Sequence, residues 1–131
     1  MSKTINITAG IPGILNLQIY RDRDFSWTIL FSDKLTGNPL DLNGWTGKAE
    51  IRSGKDHPVA PAPDNLLETF TVNVFGDQGM VVLTLTDVET AAIDLEPGEV
   101  AFWDLVLTDG SGNRWPYLEG QIDIFETVTR A

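Results

Sequence analysis

The stretch from Asp24 to Phe31 reads DFSWTILF, and this pattern decides the fold class. Large apolar side chains occupy every second position, at Phe25, Trp27, Ile29 and Phe31. Successive side chains of a strand point to opposite faces, whereas a helix would scatter these four around its axis. The stretch therefore predicts a half-buried β-strand that turns its aromatic face toward a core.

The same alternation recurs on both sides of this stretch, and turn residues interrupt it roughly every ten positions. Strands are predicted over residues 4–8, 14–20, 24–31, 40–52, 66–75, 80–86, 99–108, 114–118 and 121–128. The glycine-containing segments 76–79 and 109–113 predict hairpin turns. The one helical candidate covers residues 88–93, with Asp87 as its N-cap.

These elements predict an all-β fold, namely an immunoglobulin-like two-sheet antiparallel β-sandwich with one short helical turn. A chain of 131 residues is expected to form one domain. We expect residues 1–13 to be an N-terminal arm that orders on a neighbouring subunit, and residues 14–131 to be the sandwich. The absence of cysteine excludes disulfides and thiolate chemistry.

The charge of the chain is strongly acidic and unevenly distributed. Nine basic and nineteen acidic residues give a formal net charge of −10. Residues 87–131 hold ten acidic and two basic residues, so −8 of that charge lies in the last third. Because phosphate groups attract clusters of lysine and arginine, we expect no nucleic-acid partner and no docking on anionic membranes. The acidic third favours a solvated surface, or else a basic partner.

Motifs for catalysis or metal binding are weak throughout the chain. The only histidine, His57, stands in a proline-rich loop away from any nucleophile motif. One histidine without cysteine does not make a zinc site. Asp109, Ser111 and Asn113 have the spacing that opens a calcium loop, but Gly110 and Gly112 favour a plain hairpin turn. With no pair of carboxylates singled out, we predict no catalytic, cofactor or metal residues, and no enzyme.

The informative anomaly is a set of apolar residues on positions that should face water. A sheet with one wet face alternates more cleanly than these strands do. The predicted partner interface consists of Met80, Val82, Phe102, Val106, Trp115, Tyr117 and Phe125. Either the helical turn or the first 20 residues cover this second side of the sandwich, or another protein does.

The order of several strand and turn segments carries a resemblance to a known family. The segments are residues 25–28, 37–52, 79–86, 90–92, 97–98, 103–109, 118–124 and 128–130. In this order the chain resembles small structural proteins of tailed bacteriophages, and is similar to the N-terminal domain of baseplate upper proteins. The resemblance runs from about Leu15 to Arg130.

The resemblance implies a non-enzymatic virion component that is synthesised in the host cytoplasm and docks on other phage structural proteins. It also implies a homo-oligomer or symmetric ring, which agrees with surplus apolar surface. The chain lacks the long helical continuation of baseplate upper proteins, so we expect a tail or baseplate adaptor. The alternatives are a capsid-decorating cement protein, or a carbohydrate-binding module that stacks Trp115 and Tyr117 on sugar rings.

Overall fold

The computed structural model describes residues 2–7, 13–33, 36–53, 66–95 and 100–126. Its strands are β1 (Ser2–Ile7), β2 (Gly13–Ile14), β3 (Leu17–Tyr20), β4 (Phe25–Asp33), β5 (Thr46–Ser53), β6 (Leu66–Thr69), β7 (Thr71–Phe75), β8 (Met80–Leu85), β9 (Ala101–Thr108) and β10 (Arg114–Phe125). The helix α1 covers Asp87–Ala92, and a single 3₁₀ turn, Gly76–Gln78, joins β7 to β8.

The strands form two sheets, as the alternating pattern predicted. A four-stranded sheet has the order β1-β4-β8-β7. A six-stranded sheet has the order β2-β10-β9-β5-β6, with β3 also paired to β10. The predicted all-β two-sheet sandwich is confirmed, and both predicted hairpin turns connect antiparallel neighbours, β7 with β8 and β9 with β10.

The prediction of purely antiparallel sheets is wrong. Strand β1 runs parallel to β4, and both β2 and β3 run parallel to β10. The three strands concerned, β1, β2 and β3, come from the first 20 residues, and each lies at the edge of its sheet. Alternation in a sequence reports which face a residue occupies, but it carries no information on strand direction, and this explains the error.

The predicted N-terminal arm, residues 1–13, contains a strand that pairs within its own chain. All six residues of β1 are in register with β4, from Ser2 opposite Thr28 to Ile7 opposite Asp33. Residues 8–12 lie outside the described part of the chain. The first strand is therefore an edge strand of the four-stranded sheet.

The predicted strand 66–75 is divided between the two sheets. Phe70 is buried at the division, and its backbone N–H donates to the Ala49 carbonyl at 2.9 Å. Before it, β6 pairs with β5, and after it, β7 pairs with β8. One continuous segment thus passes from the six-stranded to the four-stranded sheet along one side of the sandwich.

The predicted strand 14–20 is interrupted at Leu15 and Asn16. The Leu15 carbonyl turns inward and accepts the indole N–H of Trp103 at 2.8 Å. The side-chain oxygen of Asn16 accepts the backbone N–H of Gln121 at 3.0 Å. In both bonds a side chain takes the place of a backbone partner in the sheet. The regular strand pairing is therefore interrupted here, and the segment is divided into β2 and β3.

The helix begins one residue earlier than predicted. Its N-cap is Thr86, not Asp87, because the Thr86 hydroxyl accepts the Glu89 N–H at 3.2 Å. The Glu89 carboxylate in turn accepts the Thr86 N–H at 2.8 Å, which completes a capping box. Behind the cap, the buried Thr90 hydroxyl donates to the Arg23 carbonyl at 2.8 Å and so ties the helix to the start of β4.

The core lies between the two sheets and follows the predicted inward faces. Buried residues of the four-stranded sheet are Phe25, Ile29, Phe31, Val81, Leu83 and Leu85, and those of the six-stranded sheet include Ala49, Ile51, Trp103, Leu105, Leu107, Leu118 and Ile122. Phe70 contacts rings of both sheets, Phe25 at 5.7 Å and Trp103 at 6.0 Å between centroids. The apolar side chains left outside this core define the outer faces.

Candidate docking faces

The residues predicted to form one partner interface lie on opposite faces of the sandwich. Met80 and Val82 point outward from the four-stranded sheet, opposite to the buried Val81 and Leu83. Three others, Phe102, Val106 and Phe125, point outward from the six-stranded sheet. Trp115 lies near the β9–β10 hairpin, and the Tyr117 side chain lies outside the described part of the structure. Five of the seven predicted residues are therefore divided between two separate surfaces.

Neither outer face is covered by the helix or the strands that the structure describes. Helix α1 caps one end of the sandwich, and β1, β2 and β3 lie at sheet edges. The predicted cover by the helical turn or the first 20 residues is thus not found among described residues. Both faces leave apolar side chains partly in contact with water.

The outward positions of β4, β8 and β7, three of the strands in the four-stranded sheet, make up what we call the four-strand face. Its residues are Ser26, Thr28, Leu30, Ser32, Met80, Val82, Thr84, Thr71, Asn73 and Phe75. Not one of these ten side chains carries a charge. The strand register aligns Leu30, Met80 and Phe75 in one row across the sheet. Phe75 is 43% exposed, so this row is an accessible apolar ridge.

The outward side of β5, β9, β10 and β3, which we call the six-strand face, has the opposite character. Its residues include Lys48, Glu50, Arg52, Phe102, Asp104, Val106, Glu119, Gln121, Asp123, Phe125, Gln18 and Tyr20. The register places Glu50, Asp104 and Glu119 side by side on three adjacent strands. This face therefore joins apolar residues to a row of carboxylates.

The carboxylate row changes the acidity of its central member. The pKa of Asp104 is raised above its ordinary value, first because its neighbours remove water from the carboxylate. The charge of Glu50 raises it further, Arg52 opposes the shift, and Glu119 adds to it. Arg52 also binds Glu50 at 3.2 Å. A cation brought by another protein would relieve this crowding of negative charge.

An exposed aromatic pair stands at one end of the six-strand face. Tyr20 and Phe125 stack with ring centroids 5.3 Å apart and an interplanar angle of 29°. Both residues remain accessible, at 47% and 39% of their surface. Beside them, Arg21 pairs with Glu126 at 2.9 Å. A pre-stacked pair offers a rigid apolar contact because little rotamer freedom is left to lose.

The β9–β10 hairpin uses its polar groups internally. The Asp109 carboxylate accepts the N–H groups of Ser111 and Asn113, each at 2.9 Å, and the Trp115 indole N–H at 3.1 Å. The Trp115 hydrogen bond is the first cause that lowers the pKa of Asp109, followed by those from Asn113 and Ser111. These contacts are those of a hairpin turn, the alternative favoured over a calcium loop.

The described residues contain no group of histidine, cysteine, aspartate or glutamate that could hold a metal ion. His57, the histidine weighed for catalysis, lies outside the described ranges. Within those ranges, no helix has the length and apolar character needed to cross a bilayer.

Sequence reasoning missed four residues of these surfaces. Leu30 and Phe75 complete the apolar row of the four-strand face, Tyr20 completes the aromatic pair, and Ile14 is 78% exposed beside Glu119. A signal for Leu30 was present, because it stands between the inward Ile29 and Phe31. The position of Tyr20 depends on its pairing with β10, which no local pattern encodes.

Comparisons with known proteins give distant likenesses to solved structures. No protein-family model matches the chain, and no curated protein matches it. Among solved structures, the chain is similar to the N-terminal domain of phage TP901-1 ORF48, with 12% identity and a TM-score of 0.47 over 95% of this chain and 98% of that one. It is also similar to the inferred receptor binding domain of human endogenous retrovirus envelope EnvP(b)1, with 9% identity and a TM-score of 0.40 over 88% and 92%.

Proposed function

We propose that this protein is a non-enzymatic structural component of a tailed-phage virion, an adaptor that joins neighbouring virion proteins. The observation that carries the proposal is the presence of accessible apolar side chains on both outer faces, with Phe75 on one and Phe125 on the other. A sandwich with two such opposite faces is able to hold two neighbours at once. The resemblance of its strand and turn segments to those of baseplate upper proteins supports a place in the tail or baseplate.

The six-strand face is proposed to dock on a different virion protein. The stacked Tyr20 and Phe125 supply an apolar anchor, and the row around Asp104 supplies negative charge. Electrostatic complementarity favours a partner surface that presents arginine or lysine around an apolar centre. Because charge steers encounter and apolar anchors slow dissociation, the two features together suit an assembly contact.

The test is incorporation into phage particles. We expect the wild-type chain to co-purify with particles, and Phe125→Glu to be lost from them, because the substitution places a charge in the aromatic anchor. The matched control is Val88→Glu, since Val88 is 74% exposed on α1 and belongs to neither face. Circular dichroism checks that both variants are folded.

Two results would contradict the proposal. One is absence of the wild-type chain from purified particles, and the other is incorporation of Phe125→Glu at the wild-type level. Glycan binding that disappears in Trp115→Ala would favour the carbohydrate-binding alternative. Polysaccharide hydrolysis that disappears with a single carboxylate substitution would favour an enzyme.

A further inference from the structure

The four-strand face stands out because it is uncharged in a chain of net charge −10. Its ten outward residues combine an apolar row with hydroxyl and amide side chains. At the corresponding central positions of the six-stranded sheet, the outward residues are largely charged, as at Lys48, Glu50 and Asp104. The four-strand face therefore offers no charged side chain that could pair with a positively or negatively charged partner.

We infer that the four-strand face packs against the same face of a second copy of this chain. The inference rests on the proposed role as an assembly subunit, and it names the occupant of one of the two faces. A second copy presents the same uncharged surface, so the contact leaves no charge desolvated. Closed two-fold contacts of this kind, in which one patch meets itself, are the commonest in homo-oligomers.

Electrostatics favours this face over the other for self-association. Stacked sheets lie about 10 Å apart, so packing through the four-strand face places four sheets in sequence. The two acidic six-strand faces then lie roughly 30 Å apart, which exceeds the Debye length of about 8 Å at physiological ionic strength. Packing through the six-strand face would instead bring the two Asp104 rows together.

The register suggests how the two copies meet. A two-fold axis along β8 would place Met80 of one copy against Met80 of the other. The same axis would place Leu30 of each copy against Phe75 of the other, because β4 and β7 flank β8 on either side. The apolar rows then bury each other. The polar side chains of Thr71 and Thr84 lie at the other end of the strands, closer to solvent.

The size of the face sets the expected strength. The three strands that meet across the axis, about 4.8 Å apart and six residues long at about 3.3 Å per residue, span roughly 14 by 20 Å, or about 290 Å² in projection on each copy. The area buried on both copies together is below that of a standard-size interface, in the range of weak and transient association. We therefore expect a dimer with a dissociation constant in the micromolar range or weaker, strengthened when neighbours in a particle raise its local concentration.

Sedimentation equilibrium of the full chain, across roughly the micromolar to millimolar range, tests the inference. We expect a monomer–dimer equilibrium that added salt leaves unchanged or strengthens, because the contacts are uncharged and salt screens the repulsion between the chains. Val82→Glu is expected to weaken the dimer by about tenfold or more, since it buries an unpaired charge.

The matched control is Val106→Glu, which adds the same charge on a half-buried, outward position of the other sheet. It is expected to leave the dimer unchanged. Asn73→Glu is exposed, lies in register with Val82, and gives a second disruption if Val82→Glu folds poorly. A monomer at every concentration overturns the inference, and so does a dimer that Val106→Glu weakens while Asn73→Glu does not.

The outcome is separable from the test of the virion role. If the isolated chain dimerises through this face but is absent from particles, the virion role is wrong and the self-contact stands. If the chain is incorporated into particles but sediments only as a monomer, the self-contact is wrong and the virion role stands.

Discussion

Trp103 on β9 donates its indole N–H to the main-chain carbonyl of Leu15 at 2.8 Å, joining residues that are 88 positions apart in the sequence. The indole is buried, and its hydrogen bond holds the break between β2 and β3 against the centre of the six-stranded sheet. The same bond satisfies a carbonyl that the ladder leaves unpaired. This single contact fixes where the N-terminal segment enters the sandwich.

Trp103→Phe is expected to lower the free energy of unfolding by about 2–4 kcal/mol, because it leaves the Leu15 carbonyl unsatisfied and opens space in the core. Urea denaturation measures the change. Trp27→Phe is the control, since Trp27 is only half-buried on β4. An equal loss in both variants would show that ring size, not the hydrogen bond, matters.

Gly120→Ala is expected to destabilise the protein by about 1–3 kcal/mol or more. A Cβ at this position would run into the Leu15 carbonyl oxygen and lie 2.7 Å from its carbon, where backbone cannot yield cheaply. Gly110→Ala is the matched control, because a Cβ there meets nothing within 4 Å. Thermal unfolding compares the two, and equal melting temperatures would contradict the close approach of β10 to Leu15.

Thr90→Val is expected to cost about 1–3 kcal/mol, because it removes the hydroxyl that donates to the Arg23 carbonyl at 2.8 Å from a fully buried position. Thr84→Val, on the outward side of β8, is expected to stay within about 0.5 kcal/mol of wild type. Chemical denaturation measures both. A Thr90→Val protein as stable as Thr84→Val would mean that the helix does not depend on this bond.

Asp104→Asn is expected to stabilise the protein at neutral pH. Because the pKa of Asp104 is raised in the folded state, the folded protein binds a proton more readily than the unfolded chain. The free energy of unfolding therefore falls as the pH rises from the pKa of Asp104 in the unfolded chain to its higher pKa in the folded protein. Above that pH the loss of stability remains. The increase in the free energy of unfolding caused by Asp104→Asn should be present at pH 7 and vanish near pH 3, as measured by chemical denaturation at both pH values. A gain that is independent of pH would mean that the charge is not its cause.

Local pattern predicted the inward faces, because alternation is a property of each strand alone. It placed Trp103, Leu105 and Leu107 in the core before any pairing was known, and the structure agrees. It also contained the true helix cap, since Thr86 is followed three residues later by Glu89, but Asp87 was the competing candidate.

What the pattern does not contain is pairing over long distances. The parallel direction of β1, the division at Phe70 and the stacking of Tyr20 on Phe125 each depend on which strands become neighbours. For the same reason the apolar outward residues looked like one surface, although Val82 and Val106 belong to different sheets. Periodicity assigns each residue to a side of its own strand, and only the topology assigns strands to sheets.

Strand β10 pairs with β9, which precedes it closely, and with β2 and β3 from the start of the chain. The Asn16–Gln121 bond in this region spans 105 positions of sequence. During synthesis β2 and β3 must wait until about 105 further residues have been added before β10, their neighbour in the sheet, exists. Folding dominated by such distant pairings is slow. The nascent chain accordingly exposes its early apolar residues for longest, and this is the period in which a chaperone would matter most.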